Sequence, residues 1–443
     1  MGIQNPMENG VEGFAMKAII LAAGEGKRLR PLTETRSKAM LPVAGKPLIH
    51  NLLIEARKAG ITEAVIVVRH MKEKITEYLS KADVGMKVSF VEQGSETGTG
   101  AALLCAKDQV SDTFMALAGD IVTESSVISA VMKGHEGGIT LGLKRVDNPH
   151  EYGVVELSNG KVSLFEEKPK HPKSDLANLS VYCMEPTVFS ELRSIGKSER
   201  GEHEIVNLFV GAKGVVTEGY WRDIAYPWDL LEANEYVLSK MDSQSGHIEN
   251  STIEGKVIME EGARIINSYV EGSAYIGAGT VIGPNAYLKG YNCIGKWCAI
   301  GSGTTVKNSI LLDHVNAKHL AYIGDSVIGE NVNFGSGTQI ANFRFDGENV
   351  NVQTEKGWAN SGRKKLGVFV GDNTKFGVLS CTMPGKFIGT NCWIHSGVVV
   401  NKNVPSGTRV FTRQPIEFAM SESSDDSDIR AAKGGSNKAG EGE

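Results

Sequence analysis

"VIGPNAYLKGYNCIGKWCAIGSGTTVKNSILL", residues 281 to 312, carries an aliphatic residue at every sixth position: Ile282, Leu288, Ile294, Ile300, Val306 and Leu312. The phase runs back to Ile276 and Val270. It then slips by four, resumes at Tyr322, Ile328, Phe334 and Ile340, and returns after a non-repeating insertion at Val370, Phe376, Thr382, Ile388, Ile394 and Val400. A helix cannot use a period of six. A triangular β-coil can: each six-residue side aims one side chain inward, small residues make the corners, and successive coils stack at the ~4.8 Å spacing of paired strands.

N-terminal to this block the texture changes. Short apolar runs alternate with amphipathic stretches: strands over 17–22, 64–68, 87–91 and 113–118, and helices over 46–59, 71–80 and 97–107. This βαβ alternation predicts an α/β, Rossmann-like domain whose mixed sheet is mostly parallel, with helices on both faces. The expected divisions are a flexible leader (1–15), the α/β domain (16–226), a helical linker (227–250), the β-coil domain (251–412) and a disordered acidic tail (413–443).

The chain has 443 residues, too many for one ordinary core. Its 47 Lys and Arg stand against 52 Asp and Glu, a formal charge of −5, of which the tail holds −3. The remaining body, at about −2, argues against broad binding to nucleic acid or to an anionic membrane. No run approaches the ~20 apolar residues of a membrane span, and the first residues lack a signal peptide's pattern, so a cytoplasmic location is expected. The six cysteines form no CxxC pair and read as reduced, mostly buried thiols.

The first strand leaves the core into "GEGKRLR", residues 24 to 30: two close glycines, then Lys27, Arg28 and Arg30. Glycines let backbone amides approach a ligand, and amides with cations suit a polyphosphate. A lone GxG is weak, but the full string "LAAGEGKRLRPLTETRSKAMLPVAGKP", residues 21 to 47, resembles the signature of sugar-1-phosphate nucleotidylyltransferases. Ser37 departs from it, standing where the family usually has proline.

That resemblance implies that Leu21, Ala23, Gly24, Gly26, Gln93, Gly98 and Thr99 contact the nucleotide, and that Tyr152, Gly153, Glu166, Glu167, Lys168 and Asn178 surround the sugar phosphate. It further implies that Arg28 binds the leaving pyrophosphate, that Lys38 steadies the α-phosphoryl group, and that Asp120 and Asp223 hold Mg²⁺. The chemistry is an in-line attack of a sugar-1-phosphate oxygen on the α-phosphorus of UTP or dTTP. It needs positioning and charge neutralisation rather than a covalent intermediate.

At the slip in the six-residue register the sequence reads "NAKHLAYIGDSVIGENVNFGSGTQIANFRFDG", residues 316 to 347. With the "[LIV]-G-x-x-x-x" repeats it resembles the left-handed parallel β-helix acetyltransferase segment of enzymes that acetylate glucosamine-1-phosphate and then uridylylate the product, including the archaeal type. The resemblance implies acetyl-CoA as donor, His319 as the base, Tyr322, Asn333 and Asn342 at the aminosugar, and Lys289 and Lys307 for its phosphate. Imidazole titrates near ~6.5, which suits a base at working pH. Lys289 replaces the usual arginine, Phe343 a tyrosine of the bacterial form, and Glu348 falls near a lysine of relatives.

The leading expectation is therefore a cytoplasmic, trimeric, two-site enzyme that makes UDP-N-acetylglucosamine from small-molecule substrates. The alternatives are a glucose-1-phosphate thymidylyltransferase whose β-helix serves assembly alone, and a catalytically silent regulatory subunit.

Overall fold

The computed structural model describes residues 16–196, 201, 203–244 and 246–418. The leader and the tail beyond residue 418 lie outside the described residues. The strand Met16–Leu21 is the centre of the first domain, with Ala18, Ile19 and Ile20 fully buried, as in a strand covered on both faces. It pairs in parallel with Ile61–Val68 on one side and Phe114–Ala118 on the other. Lys87–Glu92 extends the parallel run beyond Ile61–Val68. Beyond Phe114–Ala118 comes Leu176–Met184, which is antiparallel to both neighbours and makes the nine-stranded sheet mixed.

Helix α1 (Leu48–Lys58) buries Leu48, Ile49, Leu52, Leu53 and Ala56, the stripe expected of an amphipathic helix on a sheet, and ends with Arg57 and Lys58 at its negative dipole end. Because the central strand has parallel neighbours on both sides whose connections leave in opposite directions, a crevice opens at its carboxyl end. The loop at 22–30 and Asp120 both emerge there.

From His247 onward the chain forms stacked parallel strands on three faces. Ile282 pairs with Ile300 and Ile300 with Ala317, so successive coils of 18 and 17 residues keep the interior in register. This is the β-helix expected from the repeat. The interior, however, follows Leu311 and Ile323, where the sequence reading places Leu312 and Tyr322. The apparent slip of four is two sides, each shortened by one residue: Val306 to Leu311 and Ile323 to Ile328.

At each short side an Asn or Asp takes the left-handed conformation, Asn308 at φ 43° and Asp325 at φ 49°, where such short polar side chains are tolerated. The serine that follows closes the corner. Ser309 Oγ donates to the Lys307 carbonyl and accepts the Ser326 amide of the next coil, and Ser326 Oγ repeats the pattern toward Val368.

Leu312 instead faces outward, into a core shared by the two domains. The helix Asp229–Lys240, within the stretch read as a linker, lies in this core. Its Leu230, Leu231 and Leu238 pack among Leu41, Val43 and Leu48 of the first domain and Tyr275, Cys293, Ile310, Val327 and Phe369 of the second. Polar contacts fix the docking. Asn234 accepts the Ala44 amide at 2.9 Å and donates to the Tyr291 carbonyl at 3.3 Å. Arg36, buried, reaches Asp372 at 2.7 Å and Glu330 at 2.9 Å. All six cysteines are free, and four are buried.

Candidate active sites

The crevice is built first by backbone. Gly26, at φ 65°, turns the chain into the short 3-10 turn Lys27–Leu29, and Thr33 Oγ1 donates to the Gly26 carbonyl at 2.9 Å, pinning the loop. The space a side chain would take at Gly24 is open, so a ligand can approach Gly24 closely. Ala22 and Gly119 donate their amides to Val67 and Leu21, which hold the loop beside the end of Phe114–Ala118.

On that floor Lys38 Nζ lies 2.5 Å from Asp120 Oδ2 and 3.9 Å from Asp223 Oδ1. Asp223 comes from Trp221–Asp223, which pairs antiparallel with Ile121–Thr123 so that Asp223 stands opposite Ile121. Burial pushes the Asp223 carboxyl above its usual range, with Asp120 adding to the rise and Lys38 opposing it. Two converging carboxylates sharing one ammonium are a donor set that suits a hard divalent cation completed by phosphate oxygens and water. Among the described residues no group of three or more His, Cys, Asp or Glu side chains is placed to hold a metal ion by itself.

Gln93 is buried and donates its amide to the carbonyls of Glu96 at 2.9 Å and Gly98 at 3.4 Å. Gly98 sits at φ 107° against the His203 backbone, which also accepts the Gly100 amide at 2.8 Å; Thr99 begins the short helix Thr99–Cys105. Opposite lies a cleft of about 950 Å³ whose walls include Arg28, Tyr152, Lys168, Arg222, Asp223 and Tyr226. Tyr152 packs on Trp221 at 5.5 Å, and burial pushes its hydroxyl up to about 12.

The adjacent acids separate. Glu167 lies against Gly153; burial, with Glu167 adding to it, raises the pKa of Tyr182, whose hydroxyl accepts from Asn178 at 2.9 Å. Glu166 keeps a buried, unpartnered Oε2. Sequence reasoning missed Arg222 and Tyr226. Arg222 bonds Asp229 at 2.6 Å, and Tyr226 holds the Arg28 guanidinium 5.6 Å from its ring centre while stacking on Trp228. Both lie in "WRDIAYPWDLLEAN", residues 221 to 234, whose dense aromatic and charged content was the available signal.

On the β-helix, Lys289 and Lys307 occupy equivalent positions in successive coils. Beside them Asn342 Nδ2 donates to Tyr322 Oη at 3.1 Å and to Asp325 Oδ2 at 2.5 Å. Lys307 is 4.0 Å from Asp325, and its pKa is lowered by burial and by Lys365 and Lys289, with Asp325 opposing. Asp325 organises this cluster and was not singled out from sequence, although it occupies the corner where the register shortens. His319 lies on an exposed corner, and its ring has no hydrogen-bond partner among the described residues. Asn333 projects from a different face, so a single chain does not gather it with the others.

The model of the family described as "Nucleotidyl transferase" matches residues 17–240. The chain belongs to this family. A "GMPPB C-terminal domain" model matches residues 265–358. The chain is 40% identical to a protein of Methanocaldococcus jannaschii named "Bifunctional protein GlmU", over 91% of this chain and 99% of that one. It is also 40% identical to a "Bifunctional sugar-1-phosphate nucleotidylyltransferase/acetyltransferase" of Sulfurisphaera tokodaii, over 88% and 99%. A "Glucose-1-phosphate thymidylyltransferase" of Streptomyces griseus is 35% identical over 73% of this chain and 95% of its own length. Among the described residues no helix is long and apolar enough to cross a membrane.

Proposed function

We propose that this member of the nucleotidyl transferase family is a bifunctional enzyme that acetylates glucosamine-1-phosphate and then joins the product to UTP, releasing pyrophosphate. The observation that carries the second step is the convergence of Lys38, Asp120 and Asp223 at the carboxyl end of the central strands. A sugar-phosphate oxygen attacks the α-phosphorus and the bond to the β-phosphate oxygen breaks. Lys38 steadies the α-phosphoryl oxygens, and Arg28 with the amides of the 24–26 loop receives the departing pyrophosphate. Asp120 and Asp223 would hold Mg²⁺, which when bound neutralises phosphoryl charge.

Gln93 uses its N–H groups on backbone carbonyls, so its oxygen is the atom left for the ring N–H of uracil or thymine. Tyr152, Lys168, Glu167 and Asn178 fit the sugar phosphate and its hydroxyls. For the acetyl step, the aminosugar nitrogen attacks the thioester carbonyl, the C–S bond breaks, and the amine proton passes to His319. Lys289 and Lys307 hold the phosphate, with Tyr322 and Asn342 at the sugar.

A homotrimer packed through the β-helix fits the exposed Leu320 and Leu379, 62% and 70% accessible on one corner beside His319. It would also be a way to bring a distant residue such as Asn333 toward a neighbour's face. The thymidylyltransferase reading, with a β-helix for assembly only, is favoured by one observation: His319 lacks an orienting partner among the described residues.

The test is acetyl-CoA with glucosamine-1-phosphate and a thiol reagent, followed by sugar-1-phosphates against UTP and dTTP. CoA release that disappears in His319→Ala, with pyrophosphate release intact, is expected. No CoA release by the parent protein overturns the acetyl step.

A further inference from the structure

Between Ile340 and Leu366 the chain leaves the coil stack: Ile328 pairs with Val370, 42 residues on, where other coils need 16 to 18. The excursion contains a hairpin, Asn351–Thr354 and Gly357–Asn360, closed by the two-residue turn Glu355-Lys356. It is fixed at its base. Val350 and Val352 are buried in the core shared by both domains, and Asn403 Nδ2 donates to the Gln353 carbonyl at 2.8 Å. At the turn, Thr354 Oγ1 donates to the Gly357 carbonyl at 2.8 Å and accepts the Lys356 amide at 3.2 Å.

The turn of this arm meets the loop that follows the first strand. Glu355 reaches Arg30 at 3.9 Å, and Lys356 shares the wall of a second cleft with Lys27, Arg28, Arg30 and Tyr226. Arg28 and Tyr226 also line the 950 Å³ cleft, so the tip of the hairpin stands where the two clefts meet. Among the described residues none of Arg28, Lys168 and Lys356 has an acid within 4 Å. Burial lowers the Lys168 pKa, and Arg28 and Lys356 lower it further against Asp223 and Glu167. Cations gathered without partners around a concave surface repel one another until an anion arrives.

We propose that Lys356, carried by the β-helix, is a substrate-positioning residue of the nucleotidyl-transfer site, holding with Arg28 the terminal phosphates of the nucleoside triphosphate that leave as pyrophosphate. The terminal phosphates are favoured because Lys356 shares its cleft wall with Arg28, the residue assigned to the departing pyrophosphate. The tip lies beside Lys27, Arg28 and Arg30, just after the glycine-rich loop, whereas Asn360 to Arg363 at the base of the arm line the larger cleft with Lys144, Arg145 and Tyr152. The inference rests on the nucleotidyl-transfer reading above.

The experiment uses the full-length protein with Lys356→Gln and Lys356→Arg, both at an exposed turn. Forward synthesis and the reverse reaction with inorganic pyrophosphate are followed separately. For Lys356→Gln the KM for pyrophosphate should rise about fivefold to tenfold, the scale for one partly exposed charge on a phosphate, with kcat and the KM for sugar-1-phosphate within about twofold. Lys356→Arg should return the KM to within about threefold of the parent. A KM for pyrophosphate unchanged in Lys356→Gln, or a rise confined to the sugar-1-phosphate, would overturn the proposal alone. Absence of both reactions in the parent protein would overturn the nucleotidyl-transfer reading and the proposal with it.

Discussion

Arg36 offers the sharpest test of how the two domains are held together. Its guanidinium is 4% exposed and its main partner, Asp372, is 7% exposed on a β-helix corner. Arg36 donates to Asp372 Oδ2 at 2.7 Å and to the Leu32 carbonyl at 3.1 Å. In Arg36→Met, Asp372 would retain only the Thr35 hydroxyl at 2.6 Å and the Glu330 amide at 2.8 Å, with no cation.

An uncompensated buried charge costs about 3–5 kcal/mol. At about 1.4 kcal/mol per tenfold, local opening should become roughly a hundred to several thousand times more frequent. Amide hydrogen exchange is the suitable assay, because a two-domain chain need not unfold in one step. The amides to follow are those of Glu330 and Asn373, which donate to Asp372 and to the Glu330 carbonyl. The double variant Arg36→Met/Asp372→Asn keeps the acceptor and removes the charge, and should recover much of the protection. Exchange in Arg36→Met within about threefold of the parent would refute the reasoning, and so would a double variant that exchanges faster than the single one.

Asp223→Asn should abolish nucleotidyl transfer yet stabilise the metal-free protein at pH 7–8. The folded state holds the Asp223 proton to higher pH than the unfolded chain, so parent stability declines as pH rises from the usual carboxylate range (~4) through the raised pKa. Melting curves against pH in the presence of a chelator should diverge upward with pH, and parallel curves would count against burial as the cause. Gly98→Ala places a methyl group on the His203 carbonyl at a φ of 107° that alanine rarely adopts; a KM for the nucleotide raised about tenfold or more is expected, with acetyl transfer unchanged.

The six-residue repeat made the β-helix legible because an interior filled by one side chain per side leaves a period nothing else uses. The same repeat misled at Leu312 and Tyr322. "ILL" and "AYI", residues 310–312 and 321–323, offer adjacent apolar candidates, and only the outward docking of Ile310 and Leu312 on the first domain explains why both sides of that wall are apolar. Lys38, Asp120 and Asp223 were singled out through the resemblance of their motifs, and the fold brings the three side chains together at the end of the sheet where α/β folds place their sites. The Glu355-Lys356 turn was not, since a hairpin inserted between coils has no period and its destination lies more than 300 residues away in sequence, at Arg28 and Arg30. Glu166 and Glu167 differ only in the direction each side chain takes from its strand, which a pair of identical neighbours cannot reveal.

The shared core around the helix Asp229–Lys240 has a consequence for anyone dividing this protein. Cutting after Lys240 would strip the partner wall from Trp228, Leu230 and Leu231, and the remaining half would bare Tyr275, Ile310 and Phe369. Each fragment would carry a broad oily scar prone to clumping. The two halves are therefore best expressed in one piece, and a change made to quiet one reaction is safest at solvent-facing residues that leave this seam sealed.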